Sequence, residues 1–286
     1  MQYILSIVVP IHNMHQKLNH LNQWISNIPI TSVEVILVDD FTSQESSEEI
    51  ENLVQFHSNS NIKLISGKFN SPGKARNTGL LEAKGVWVIF ADSDDTLYVE
   101  PVLNFLMKSN PSNLEVFQFR ELDFNTGKVL KPLSKTTSEI DLVMSLGIWR
   151  IAFPRTFLTN QKFTEIRMGE DLLFFLDVYE VNSKIHFNAT HGYDYLIGSG
   201  NQLTANKTAV RELPLLLGEL AFRAETFKKV DTLARLAFLK NTLSFAKHLG
   251  LRKSYSYAWQ TFLMFFYSRP RDKKELIRMI GKYCRS

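Results

Sequence analysis

The sequence predicts an α/β fold: a doubly wound parallel sheet, a looser second half and a helical C-terminal region. Three observations carry this. Within the first hundred residues, short β-branched runs alternate with amphipathic helical patterns, as strands and crossover helices do in parallel sheets. Acidic and amide residues follow directly on three of the strand runs. After Asn206 turn signals nearly vanish and apolar residues recur at helical spacing, first Leu233, Leu236 and Ala237, then Leu243, Ala246 and Leu249.

Strands are expected over Ile4–Val9, Val33–Val38, Ile62–Ile65 and Val86–Phe90, with helices over about Gln16–Asn27, Ser46–His57 and Pro72–Ala83. The last helix has the fullest punctuation: Ser71 as N-cap, Pro72 at the first helical position and Gly85 just past the end. From Tyr98 the pattern loosens into a helix near Pro101–Lys108, a strand near Glu115–Glu121, a turn at Asn125-Thr126-Gly127 and a helix near Ser138–Leu146. The chain therefore divides into residues 1–98, 99–206 and 207–286, the last read as three or four helices.

With 286 residues, 44% hydrophobic and 22% charged, the chain can bury a full core and is unlike disordered or collagen-like sequences. Its single cysteine, Cys284, allows no internal disulfide and points to a reducing, cytoplasmic compartment. The opening run Tyr3 to Pro10 has none of the features of a signal peptide, and Tyr255 to Tyr267 is too short to span a bilayer. Charge is unevenly spread, because residues 228–286 hold 14 Lys and Arg against 3 Asp and Glu. Interleaved with Trp259, Phe262, Phe265, Phe266 and Tyr267, this basic tail suits either an anionic membrane surface or the solvated face of a helical bundle. No nucleic-acid partner is expected, and the tail offers a surface for a homodimer.

Ligands of open parallel sheets sit beyond the carboxyl ends of the strands. The first strand runs into Pro10-Ile11-His12-Asn13, the second into Asp39-Asp40 and the fourth into Asp92-Ser93-Asp94-Asp95. Singly, such residues end strands and cap helices. Three acids within four residues repel one another, and a divalent ion is the simplest neutraliser. Oxygen ligands favour Mg²⁺ or Mn²⁺, whose shell is commonly completed by water and substrate phosphates. A nucleoside diphosphate fits that role. Gly73, Lys74 and Arg76 lie in the first turn of a helix whose dipole favours anions; alternatively Arg76 pairs with Asp92 or Asp94 as scaffold. Gly169-Glu170-Asp171 heads an apolar helix, where the acids either complement the dipole or offer a general base.

The ordered set Val8-Val9-Pro10-Ile11-His12-Asn13, Val38-Asp39-Asp40, Gly73 to Leu80, Phe90-Ala91-Asp92-Ser93-Asp94-Asp95 and Gly169-Glu170-Asp171 resembles the family 2 glycosyltransferases of GT-A fold, over about residues 3–205. The resemblance implies a Rossmann-like nucleotide-binding sheet joined to an acceptor-binding half. It implies a UDP-sugar donor whose uracil and ribose are held at the positions of Pro10, His12 and Asp40, with Asp92 on the ribose. Asn13, Asp39, Gly73, Lys74, Arg76, Asn77 and Ser93 are further candidates for the donor-binding set. Asp94 matches the metal-binding acid, flanked by Asp92 and Asp95, so the resemblance implies Mn²⁺ or Mg²⁺ at that position. Asp171 matches the catalytic base, with Glu170 near the acceptor, and the resemblance implies transfer with inversion at the anomeric centre.

The acceptor implied is a glycan or lipid-linked oligosaccharide of bacterial surface polysaccharide, met at the inner face of the membrane. Two positions depart from the pattern: His12 stands where many relatives have Tyr, and Leu196 in Tyr193-Asp194-Tyr195-Leu196 stands where Arg is common. Rival readings are a sugar nucleotidyltransferase, disfavoured because no glycine-rich phosphate loop follows the first strand, and a catalytically silent nucleotide-sugar-binding scaffold.

Overall fold

The computed structural model describes residues 3–14, 18–26, 28–29, 31–57, 61–181, 184–198 and 212–249. Four runs dominated by valine, isoleucine and leucine form parallel strands β1 (Leu5–Ile11), β2 (Val33–Asp40), β3 (Ile62–Gly67) and β4 (Trp87–Phe90). Branched side chains favour the pleated extended backbone. The crossovers are helices α1 (Leu18–Ile25), α2 (Gln44–Phe56) and α3 (Pro72–Glu82). β1 lies central, pairing with β2 from Leu5↔Val33 to Ile11↔Asp39 and with β4 from Leu5↔Trp87 to Val8↔Phe90. β3 runs parallel beside β2, so all four strands deliver their carboxyl ends to one edge.

The second half follows as β5 (Thr96–Leu97), α4 (Val99–Leu106), β6 (Leu114–Asp123), β7 (Val129–Lys131), α5 (Glu139–Met144), β8 (Ile151–Pro154), α6 (Glu170–Val181) and β9 (Ile185–Ile197). These strands continue the same sheet in the order β3-β2-β1-β4-β8-β6-β9-β5, with β7 paired to β6. The expected turn at residues 125–127 closes the β6–β7 hairpin, with Gly127 at φ +67°. Strands β8 and β9 extend the expected set. β9 is hard to see in sequence because Asn188, Thr190, His191 and Asp194 break its apolar alternation, and its parallel pairing with β6 shifts register between Val116 and Phe119.

Two elements of punctuation differ from expectation. Ser71 precedes α3 in extended conformation, but its hydroxyl makes no capping bond and is buried without a partner among the described residues. Gly85 does not end α3, which stops at Glu82 with Ala83 extended. It serves close packing instead, since a Cβ there would lie 2.6 Å from the backbone nitrogen of Ser6.

The sheet carries a core on each face. Leu5, Ile7, Val9 and Ile11 point into one core, with Trp24, Leu37 and Leu103; Val8, Val38 and Phe90 point into the other, with the apolar face of α6. The C-terminal helices α7 (Leu213–Thr226) and α8 (Asp231–Leu249) join this second core through Leu216, Leu217, Leu220, Ala234, Ala237 and Phe238. Leu236 and Leu243 pack towards Ile140 and Met144 of α5. The side chains of Ala246 and Leu249, and all of residues 250–286 with the aromatic segment expected at a membrane surface, lie outside the described residues. No helix among the described residues is long and apolar enough to cross a membrane.

One buried carboxylate holds the second half together. Asp194 on β9 accepts from Arg120 Nε at 2.7 Å and Nη2 at 2.8 Å, from Tyr98 Oη at 2.6 Å, and bonds His191 Nε2 at 2.7 Å. Burial alone would push its pKa up, but the bonds from Arg120, Tyr98 and His191 outweigh burial and hold it below the ordinary value. A depressed folded pKa contributes stability that is present above the unfolded pKa, about 3.9, and lost as pH falls through the folded value. We expect Asp194→Asn to lower the Tm at neutral pH, with the gap from wild type closing in thermal melts run progressively below about pH 4.

Candidate active site

At the carboxyl edge, Pro10 is half-buried and His12 and Asn13 are exposed beyond β1. His12 Nδ1 donates to the carbonyl of Asp40 at 2.7 Å, and Asn13 Nδ2 donates to His12 Nε2 at 3.0 Å, a self-consistent tautomer. Asp40 ties two loops together: Oδ1 accepts from the backbone N–H groups of Phe69 (2.6 Å) and Asn70 (2.7 Å), and Oδ2 from that of Ser71 (3.1 Å). Asp39 is buried, and its Oδ1 has no donor among the described residues. An acceptor of this kind is open to an N–H from a ligand or to an ordered water.

The α3 residues expected to face phosphates divide between two roles. Asn77 clasps Phe163, donating to its carbonyl at 2.9 Å and accepting its N–H at 2.8 Å. Lys74 pairs with Glu165 at 3.0 Å, and Gly73 lets α3 lie against the carbonyl of Thr164, where a Cβ would stand at 2.6 Å. These contacts hold the 163–165 segment that leads to α6. Arg76, almost fully buried, instead bridges acids. Its Nη2 pairs with Asp92 at 2.9 Å and Nη1 with Glu170 at 2.8 Å, while its guanidinium lies 5.5 Å from the Phe163 ring centroid. Burial disfavours its charge, but Asp92, Glu170 and Asp171 more than restore it. Acids from distant parts of the chain thus meet around one cation.

The acidic turn after β4 is braced from β9. Asp92 donates its N–H to Tyr193 Oη at 3.0 Å, and that hydroxyl donates to Asp95 Oδ2 at 3.0 Å. Asp95 Oδ1 accepts the N–H of Leu196 at 2.7 Å. Asp95 therefore points into the protein and locks the turn, whereas Ser93 and Asp94 are half-buried at its tip. Burial, with Asp92 and Asp94 nearby, pushes the Asp95 carboxyl well up. Burial likewise raises Asp92, helped by Asp94 and Asp171 and opposed by Arg76.

At the start of α6, Glu170 is pushed up to about 7 by burial and by the adjacent Asp171 charge. Asp171 accepts the N–H of Leu172 at 2.8 Å. Its carboxyl is raised by burial, with Arg76 and Lys240 opposing. Sequence reasoning missed two contributors. Tyr193 was legible only as part of a departure from a pattern, and Lys240 of α8 only as one basic residue in a basic tail.

Arg76 thus lies in the field of Asp92, Glu170 and Asp171, with Lys240 facing Asp171, while Asp94 acts on both Asp92 and Asp95 from within the same turn. Among the described residues, no group of three His, Cys, Asp or Glu forms a ready-made metal cage. The donor set nevertheless fits a hard cation that takes one or two carboxylates and completes its shell with water and diphosphate oxygens.

The model of the family described as "Glycosyl transferase family 2" matches residues 6–168, ending just short of Glu170. The poly(ribitol-phosphate) beta-glucosyltransferase of Bacillus spizizenii is 29% identical over 206 residues, covering 68% of this chain and 32% of that protein. The GalNAc(5)-diNAcBac-PP-undecaprenol beta-1,3-glucosyltransferase of Campylobacter jejuni is 27% identical over 221 residues, 72% of this chain and 70% of that one. The chain spans about a third of the length of the Bacillus protein and of Staphylococcus aureus TarS. In fold, the crystal structure of S. aureus TarS 1–349 with UDP-GlcNAc superposes with a TM-score of 0.66 at 19% identity, covering 99% of this chain and 80% of that one, so the fold is GT-A.

Because Arg76 is the only described cation bonded to both Asp92 and Glu170, its removal leaves buried carboxylates uncompensated. Arg76→Met should cost about 3–5 kcal/mol of unfolding free energy at neutral pH in urea titrations, far more than an exposed Lys74→Met.

Proposed function

The chain belongs to glycosyl transferase family 2, and from that premise we propose that it moves a hexose or N-acetylhexosamine from a UDP-sugar to a hydroxyl of a glycan or lipid-linked glycan in surface-polysaccharide assembly. The observation that carries the proposal is the bridge of Arg76 between Asp92 and Glu170, which sets the strand-end acids of the nucleotide half beside the acids heading α6. The nature of the relatives supports it: one is named for a lipid-linked acceptor and another for a polyol-phosphate polymer.

In this reading the loops after β1 and β2 hold the base and ribose, with Asp39 and Asp40 defining that end. A divalent cation, Mn²⁺ or Mg²⁺, would be held by Asp94 with Asp92, and when bound it offsets negative charge on the leaving diphosphate. Asp95 keeps the turn that carries them in place. Asp171 acts on the acceptor: its carboxylate takes the hydroxyl proton as the oxygen bonds to the anomeric carbon, and the bond to the diphosphate breaks with its electron pair leaving on UDP. Attack opposite the leaving group inverts configuration. Burial raises the proton affinity of Asp171, which suits a base that must accept a proton within the reaction. Glu170, pinned by Arg76, fixes the first turn of α6 and so the direction of its neighbour.

Release of UDP from UDP-glucose and UDP-GlcNAc, with Mn²⁺ and a glycan acceptor, tests the activity. Asp171→Asn should bind UDP with Mn²⁺ as wild type does, yet turn over about 10²- to 10⁴-fold more slowly. Full activity in that variant would remove Asp171 from the mechanism.

A further inference from the structure

Three loops meet at the carboxyl ends of β1, β2 and β3, and among the described residues each holds one non-glycine residue in the left-handed region: Asn13 at φ +50°, Phe41 at +51° and Asn70 at +57°. Asparagine tolerates that conformation because its short amide bonds locally. Phenylalanine has no such compensation, and a bulky residue there is a genuine outlier. Strain of this kind persists only where the surroundings impose it, and it gathers at sites that clamp ligands. Here the surroundings do impose it. Asp40, immediately before, is tied through its carboxylate to the backbone of residues 69–71 and through its carbonyl to His12. Immediately after, Thr42 Oγ1 accepts the N–H of Asn13 at 3.1 Å, and Asn13 Oδ1 accepts that of Ser43 at 3.2 Å.

The ring held in this way joins none of the core clusters of the described residues and is 66% exposed. Lys68 Nζ stands 5.0 Å from its centroid, on one face. A cation on one face steadies the ring and leaves the other for a ligand. His12, across the carbonyl of Asp40, is also exposed, with both ring nitrogens already engaged in its own plane. Two residues before Phe41, the buried Oδ1 of Asp39 lacks a donor among the described residues, a demand that the N–H edge of a base would meet.

We propose that Phe41 is the platform on which the nucleobase of the donor stacks, with Lys68 behind the ring. This rests on the nucleotide-sugar reading above and deepens it by naming the residue that demands a flat aromatic base. Stacking tolerates any base, so choice among bases falls to the polar edge at Asp39 and Asp40.

Calorimetric titration of the full chain with UDP and with inorganic pyrophosphate, both with Mn²⁺, tests it. Phe41→Ala should raise the Kd for UDP about ten-fold and leave that for pyrophosphate unchanged, while Phe41→Tyr stays near wild type. Phe41→Gly should lose UDP affinity yet raise the Tm of the nucleotide-free protein, because glycine adopts the left-handed backbone without strain. A ring with a purely structural role would lower Tm and weaken both ligands together, which overturns the proposal. Unchanged UDP affinity in Phe41→Ala overturns it as well. If wild type binds no UDP, the nucleotide-sugar reading itself fails, and that is seen before any variant is made.

Discussion

A guanidinium taken out of water must find anions at good geometry, and the partners that Arg76 finds determine how the two halves of this protein meet. Its fork joins Asp92, at the end of a parallel strand, to Glu170, which heads a helix and lies 94 residues beyond Arg76 along the chain. Planar, bidentate-capable and always charged, arginine can bridge two carboxylates where lysine would offer a single point charge. Around that bridge the remaining contacts fall into place. Asn77, Gly73 and Lys74, on the same helix, fasten the segment that leads to Glu170, and Tyr193 fastens the turn that carries Asp92.

The electrostatics of the site follow from the same arrangement. Burial raises the proton affinities of Asp92, Asp95, Glu170 and Asp171, and one arginine, opposing the rise at Asp92, Glu170 and Asp171, does not cancel it. The two ends of the acid set are treated differently. Asp95 is turned inward and spends its oxygens on the fold, whereas Asp94 stays at the tip of the turn, where a cation and a diphosphate would approach. Adjacent acids therefore differ in burial, Asp95 serving as a strut while Asp94 is the one the proposed reading assigns to a cation.

That division marks where a sequence can be read and where it cannot. The parallel strands, α3 and the acids that follow the strands were legible because each depends on chemistry within a few residues: branched side chains, a proline at a helix start, polar groups at a strand end. Ser71 and Gly85 show the limit of that logic, since both sit where a cap belongs and neither caps; packing against Ser6 claims Gly85 instead. β9 was hidden by the polar residues that make it useful, including Asp194, whose partners Arg120 and Tyr98 come from other strands and loops. The choice between Arg76 as anion donor and Arg76 as scaffold had to wait for Glu170, and no local pattern could place Lys240 in the field of Asp171.

The helices α7 and α8 supply Leu216, Leu220, Ala237 and Phe238 to the same core that α6 fills with Phe174 and Phe175. Leu216 also lies against Gly169, the residue that precedes the two acids. Such a segment is not a cassette that recombination could exchange intact between proteins, because a replacement would have to match the apolar relief of α6 and the approach at Gly169. Change within this segment is thereby steered toward its loops and the outer faces of its helices.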